Sequence, residues 1–177
     1  MRLITLIALA AMLVPPIADA QPAPAAAVEE MVKQLEPQPR TRSMRNLVVT
    51  PVAPEAPAQP ESAPARPSLS LLIQFDLNSD KVRAESLPLI ENLSQALRSP
   101  QLTSARFAIE GHTDARGRAD YNVKLSQRRA LAVRSLLVAR GIEPQRLIAS
   151  GKGSTEPANP SDPQAPENRR VRIVNIE

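Results

Sequence analysis

The chain has 177 residues, with 22 Lys and Arg against 18 Asp and Glu, 19 Pro, 5 Gly, 1 His and no Cys. Without Cys there is no disulfide framework, thiolate nucleophile, Cys-ligated zinc or iron–sulfur cluster, and no thiol to carry a lipid. A single His excludes a His-rich metal site. A net charge of +4 with only Phe75, Phe107 and Tyr121 as aromatics gives little surface for stacking nucleic-acid bases.

Residues 1–20, MRLITLIALAAMLVPPIADA, place one Arg before an apolar run from Leu3 to Val14, then Pro15-Pro16 and the small-x-small ending Ala18-Asp19-Ala20. This is the pattern of a secretory signal cleaved before Gln21. Its apolar run is well short of the roughly 20 residues that cross a bilayer, so the expectation is an exported protein with no transmembrane segment after cleavage.

Twelve of the 19 prolines lie in residues 1–68, whereas all five glycines lie between 111 and 153. Residues 21–68 therefore read as a Pro/Ala-rich tail and linker. The stretch from Pro51 to Pro67 favours polyproline II, and at about 3.1 Å per residue it makes a semi-rigid spacer on the order of 50 Å long. Within the tail, Val28, Met31, Val32 and Leu35 of the segment Ala27 to Glu36 fall on one helical face. A basic, strand-like segment follows from Thr41 to Pro51. Ten residues do not stay helical alone in water, so the pair is either a partner-docking element or a transiently ordered tail.

From Leu69 the pattern becomes that of a folded domain with an aliphatic core. Leu71, Ile73 and Phe75 alternate with polar or outward positions and predict a first strand. Ala84 to Arg98 predicts a helix, with Pro88 tolerated in its first turn. Ser104 to Glu110 predicts a second strand. A turn through His112 to Gly117 leads to a long helix over Ala119 to Arg140, capped by Gly141 with Pro144 beyond. Arg146 to Ser150 and Val171 to Ile176 predict two more strands. The expected fold class is α/β, an α+β sandwich in the order β/α/β/α/β-β, with strands joined through helices lying parallel as neighbours and both helices on one face of a small sheet.

On the long helix, Leu125, Ala132, Val133 and Leu136 define an apolar stripe, and Asn122 and Arg129 fall inside it. Charged side chains belong there only when paired or facing a ligand. The turn before the helix carries Thr113, Asp114 and Gly117, so an acid and a guanidinium flank the helix start. The pair is either a zwitterion trap, with Asp114 taking an ammonium and Arg129 gripping a carboxylate through two parallel hydrogen bonds, or an internal salt bridge.

Residues 69–177 resemble the C-terminal, peptidoglycan-binding domain of the OmpA family. The resemblance rests on Ile73-Gln74-Phe75-Asp76 with Ser79, Glu110-Gly111-His112-Thr113-Asp114 with Gly117, Tyr121-Asn122, Leu125-Ser126, Arg128-Arg129-Ala130 with Val133, and Asn168-Arg169-Arg170-Val171. It implies a mixed sheet and non-catalytic binding of the diaminopimelate residue of peptidoglycan stem peptides. By position, Asp114 takes its ammonium and Arg129 its carboxylate. Phe75, Asp76, Thr113, Asn122 and Leu125 line the pocket, and one of Arg169 and Arg170 buttresses it.

His112 lacks the partners of a triad and reads as a structural part of the family turn, and Gly151 to Thr155 lacks phosphate-loop spacing and reads as a strand end. The expectation is therefore a binding module rather than an enzyme, with no metal or cofactor, in the periplasm and associated with the outer membrane and cell wall. No counterpart of the family's lipid anchor, barrel or stator helix is expected. The alternative is an adaptor whose tail, residues 27–51, docks on an envelope protein while the domain localises it.

Overall fold

The structure is a computed structural model that describes residues 24–37, 66–76 and 78–177. The expected signal at 1–20, the basic segment Thr41 to Pro51 and most of the Pro-rich spacer lie outside the described residues.

Three helices, α1 (Pro24–Leu35), α2 (Leu87–Leu97) and α3 (Ala119–Ala139), accompany four strands, β1 (Ser68–Leu71), β2 (Phe107–His112), β3 (Leu147–Gly153) and β4 (Val171–Asn175). The sheet order is β1-β4-β2-β3, with β4 antiparallel to both β1 and β2, and β3 parallel to β2. The mixed α+β architecture agrees with expectation, but the strands joined through α2 are not neighbours. The last strand inserts between them, because β4 offers Val171 and Ile173 to the same buried layer as Leu69, Leu71, Phe107 and Ile109. That layer packs with Ile90, Leu93 and Leu97 of α2 and Ala130, Val133 and Leu137 of α3 in a single core.

The first strand stops at Leu71, short of the Leu71-Ile73-Phe75 alternation. Alternation continues because the chain changes partner: Phe75 bridges Val82, and the Arg83 amide donates to the Gln74 carbonyl at 3.0 Å. Ile73 remains buried.

The buried stripe of α3 is rotated from the expected one. It is centred on Ser126, Ala130, Val133 and Leu137, which leaves Ala132, Leu136 and Arg129 half-buried. Small residues set this contact. A Cβ on Gly111 would strike the Ser126 backbone, and one on Gly151 would strike the backbone of Gln127 and Val123. The helix thus lies directly on β2 and β3, and Ser126 Oγ accepts the Gly153 amide at 2.9 Å. Gly141 ends α3 with φ of 89°, as a left-handed cap should.

The tail helix folds onto the domain. Met31 and Leu35 are buried in the common core, with Val28 and Val32 packed against it, and α1 lies along α2 and β1. Asn175 secures the arrangement: its side-chain amide donates to the Leu35 carbonyl at 2.9 Å, and its backbone amide donates to the Pro67 carbonyl at 2.9 Å. The apolar face offered to a partner in the sequence is therefore covered by the chain's own domain. One residue thus holds both the end of α1 and Pro67, the residue before β1.

Candidate functional site

Pairing between β2 and β3 shifts register between Gly111 and His112, and the shift directs the following loop over the start of α3. The Thr113 amide donates to the Gly153 carbonyl at 2.8 Å, and the Ala115 amide to the Pro163 carbonyl at 2.9 Å. From inside the helix, the buried Asn122 amide donates to the carbonyls of Asp114 (3.3 Å) and Arg116 (2.9 Å). Asn122 is thereby the residue that holds the Asp114 loop in place.

The loop forms one wall of a cleft of about 570 Å³. All seven residues singled out in the sequence line it: Phe75, Asp76, Thr113, Asp114, Asn122, Leu125 and Arg129. Asn78, Arg116, Gly117, Tyr121 and Arg169 complete it; of these, only Arg169 is offered by the sequence, as one of two arginines that could buttress the site.

Asp114 is 7% exposed. Its Oδ1 accepts the Arg116 amide at 3.2 Å, and its Oδ2 pairs with Arg169 Nη1 at 2.8 Å. The internal salt bridge between Asp114 and Arg129 is therefore absent, and Arg169 rather than Arg170 buttresses the acid.

Arg129 is held differently. Its Nε donates to the Ser79 carbonyl at 3.0 Å, and its guanidinium carbon sits 4.8 Å from the Phe75 ring centroid in cation–π geometry. Among the described residues it forms no ion pair. Burial, then the charge of Arg169, lowers its pKa from the ordinary guanidinium value, while Tyr121 and Asp114 act in the opposite sense. A half-buried cation in the cleft wall, stacked on one face and without an ion pair, suits a carboxylate. Thr113 Oγ1, also buried, has no hydrogen-bond partner among the described residues.

The sequence profile described as the OmpA family matches residues 74–172. The chain belongs to the OmpA family. Within that family it is 33% identical to the outer membrane protein A of Bordetella avium over 70% of this chain and 63% of that protein. It is 37% identical to the peptidoglycan-associated lipoprotein of Brucella melitensis over 59% of this chain and 61% of that one. The chain thus spans less than two thirds of these relatives' length. Among solved OmpA-like structures, the cell wall anchor of the type VI secretion system (T6SS) from Pseudomonas aeruginosa is 34% identical with a TM-score of 0.52, over 66% of this chain and 86% of that one.

Beside the end of β2, Glu110, His112 and Glu156 place ligating atoms within 4.8 Å of one another. Both carboxylates are already engaged there by Lys152 (3.5 and 3.2 Å) and Arg172 (3.7 and 3.9 Å), which disfavours a metal ion. Among the described residues, no helix is long and apolar enough to cross a membrane.

Proposed function

We propose that the protein binds peptidoglycan without covalent change, through the diaminopimelate of its stem peptides. The observation that carries this reading is one buried acid and one stacked, ion-pair-free arginine facing a common cleft. A diaminopimelate side chain ends in an ammonium and a carboxylate on one carbon. Asp114 has lone pairs beyond those used by Arg116 and Arg169 and takes the ammonium, and Arg129 takes the carboxylate. Phe75, Asp76, Thr113 and Leu125 shape the walls, and Asn122 fixes the loop.

Relatives named as a peptidoglycan-associated lipoprotein and a cell wall anchor support wall binding. A lysine-type stem peptide lacks the terminal carboxylate and leaves Arg129 desolvated without a partner, which typically costs about 1–3 kcal/mol. In this reading residues 1–20 export the chain to the periplasm, where it links the wall to the envelope. Because α1 lies on the domain, an envelope partner is left with the residues between Pro37 and Arg66.

The test is sedimentation with purified diaminopimelate-type sacculi. Wild type pellets with the wall, and Asp114→Ala and Arg129→Ala remain in the supernatant. Equal sedimentation of both variants and wild type would reject the site.

A further inference from the structure

A second cleft of about 530 Å³ adjoins the first and shares its Phe75, Arg129 and Arg169 wall. Its lining is mostly cationic. Arg83, Arg129, Arg169 and Arg170 line it, against Glu167 as the only acid of the lining. Behind the lining, Arg83 pairs with Glu85 at 3.6 Å, and the Glu110 and Glu156 carboxylates, held by Lys152 and Arg172, lie within 4.8 Å of His112. Leu72, Ile73 and Pro166 supply an apolar lip.

Two of its lining side chains are more than nine-tenths buried and have unused polar atoms. His112 is 2% exposed, and neither ring nitrogen has a hydrogen-bond partner among the described residues. Arg170 is 9% exposed; Nη2 donates to the Glu156 carbonyl at 3.1 Å, but Nη1 is buried without a partner. Among the described residues Arg170 forms no ion pair. Burying a guanidinium and an imidazole with idle donors costs free energy that a ligand's acceptors would recover.

We propose that this second cleft is a carboxylate subsite, in which Arg170, Arg83 and His112 receive a second anionic group of the ligand whose zwitterionic end occupies the first cleft. The inference rests on the reading given under Proposed function. The group is the free α-carboxylate of the γ-linked glutamate that precedes diaminopimelate in a stem peptide, one residue from the zwitterionic end. A planar carboxylate matches the guanidinium fork. His112 contributes as a neutral N–H donor, because burial, then the charge of Arg170, lowers its pKa to about 4.

His112 is the chain's single histidine, so its imidazole resonances are assigned without ambiguity. The experiment titrates the protein with the tripeptide L-Ala-γ-D-Glu-diaminopimelate and with the same peptide amidated at the glutamate α-carboxylate, by calorimetry and by NMR of His112. Wild type is expected to prefer the free acid by roughly tenfold, with His112 resonances moved by the acid and not by the amide. Arg170→Gln removes the preference and Arg83→Gln, at an exposed position that leaves folding intact, reduces it. Equal affinity for the two peptides with unmoved His112 resonances, or a preference unchanged in Arg83→Gln, overturns the subsite and leaves the first cleft standing. Failure of both peptides to bind overturns the first-cleft reading and this inference with it.

Discussion

Arg169 Nη1 lies 2.8 Å from Asp114 Oδ2, so the acid expected to face Arg129 is held by a different arginine. The consequence is a division of labour. Arg169 holds the acid, and Arg129, stacked on Phe75, forms no ion pair among the described residues, which in the proposed function leaves it for the ligand's carboxylate.

Arg169→Gln tests that division. The Arg169 side chain is 44% exposed, so its loss is expected to change stability by about 1 kcal/mol or less in chemical denaturation. Binding of a diaminopimelate peptide should weaken roughly fivefold, because Asp114 loses a charge-assisted bond that fixes its orientation. Tighter binding would show that Arg169 competes for Asp114 instead of positioning it.

Acid stability should carry the signature of His112. Its folded pKa is lowered from 6.5 to about 4, so the unfolded chain takes up the proton first as pH falls. Stability is therefore complete above pH 6.5 and declines as pH falls toward 4, by on the order of 3 kcal/mol. Denaturation across this range should show a shallower decline in His112→Gln than in wild type, and parallel curves would contradict the assignment.

Arg146 illustrates a device the sequence pattern conceals, since it reads there only as the start of a strand. Its buried guanidinium donates to the carbonyls of Ala105 (3.0 Å), Leu97 (2.9 Å) and Leu102 (2.7 Å), closing the end of α2. Arg146→Met should cost about 3 kcal/mol or more, because three carbonyls lose their donor together. A change within 1 kcal/mol in urea unfolding would mean that the end of α2 is satisfied otherwise.

Docking of α1 is tested at Leu35, which is fully buried. Leu35→Ala should destabilise by about 2–4 kcal/mol while leaving sacculus binding intact, since α1 lines neither cleft. An unchanged unfolding midpoint would show that the helix contributes nothing to the domain.

What could be read from sequence and what could not follow one physical divide. The run from Ala119 to Gly141 is set by local periodicity and a cap, and the helix agrees to within a residue. The insertion of β4 between β1 and β2 is a choice among distant partners, which no local pattern encodes. The stripe of α3 is displaced because Ser126 and Ala130 pack by being small, and an apolar count overlooks them. Arg169 and Arg170 are adjacent, and successive side chains of an extended chain point to opposite sides. Arg169 pairs with Asp114 and borders both clefts, whereas Arg170 borders the second alone, a difference that only the structure shows.

The central claim concerns the carboxylate on diaminopimelate. It is tested most directly by titrating wild type, Asp114→Asn and Arg129→Gln with two stem peptides that differ only in diaminopimelate against lysine. The account predicts that wild type prefers the diaminopimelate peptide at least tenfold, that Arg129→Gln loses this preference, and that Asp114→Asn binds both weakly. Equal binding of the two peptides by wild type, or a preference that survives Arg129→Gln, would contradict it.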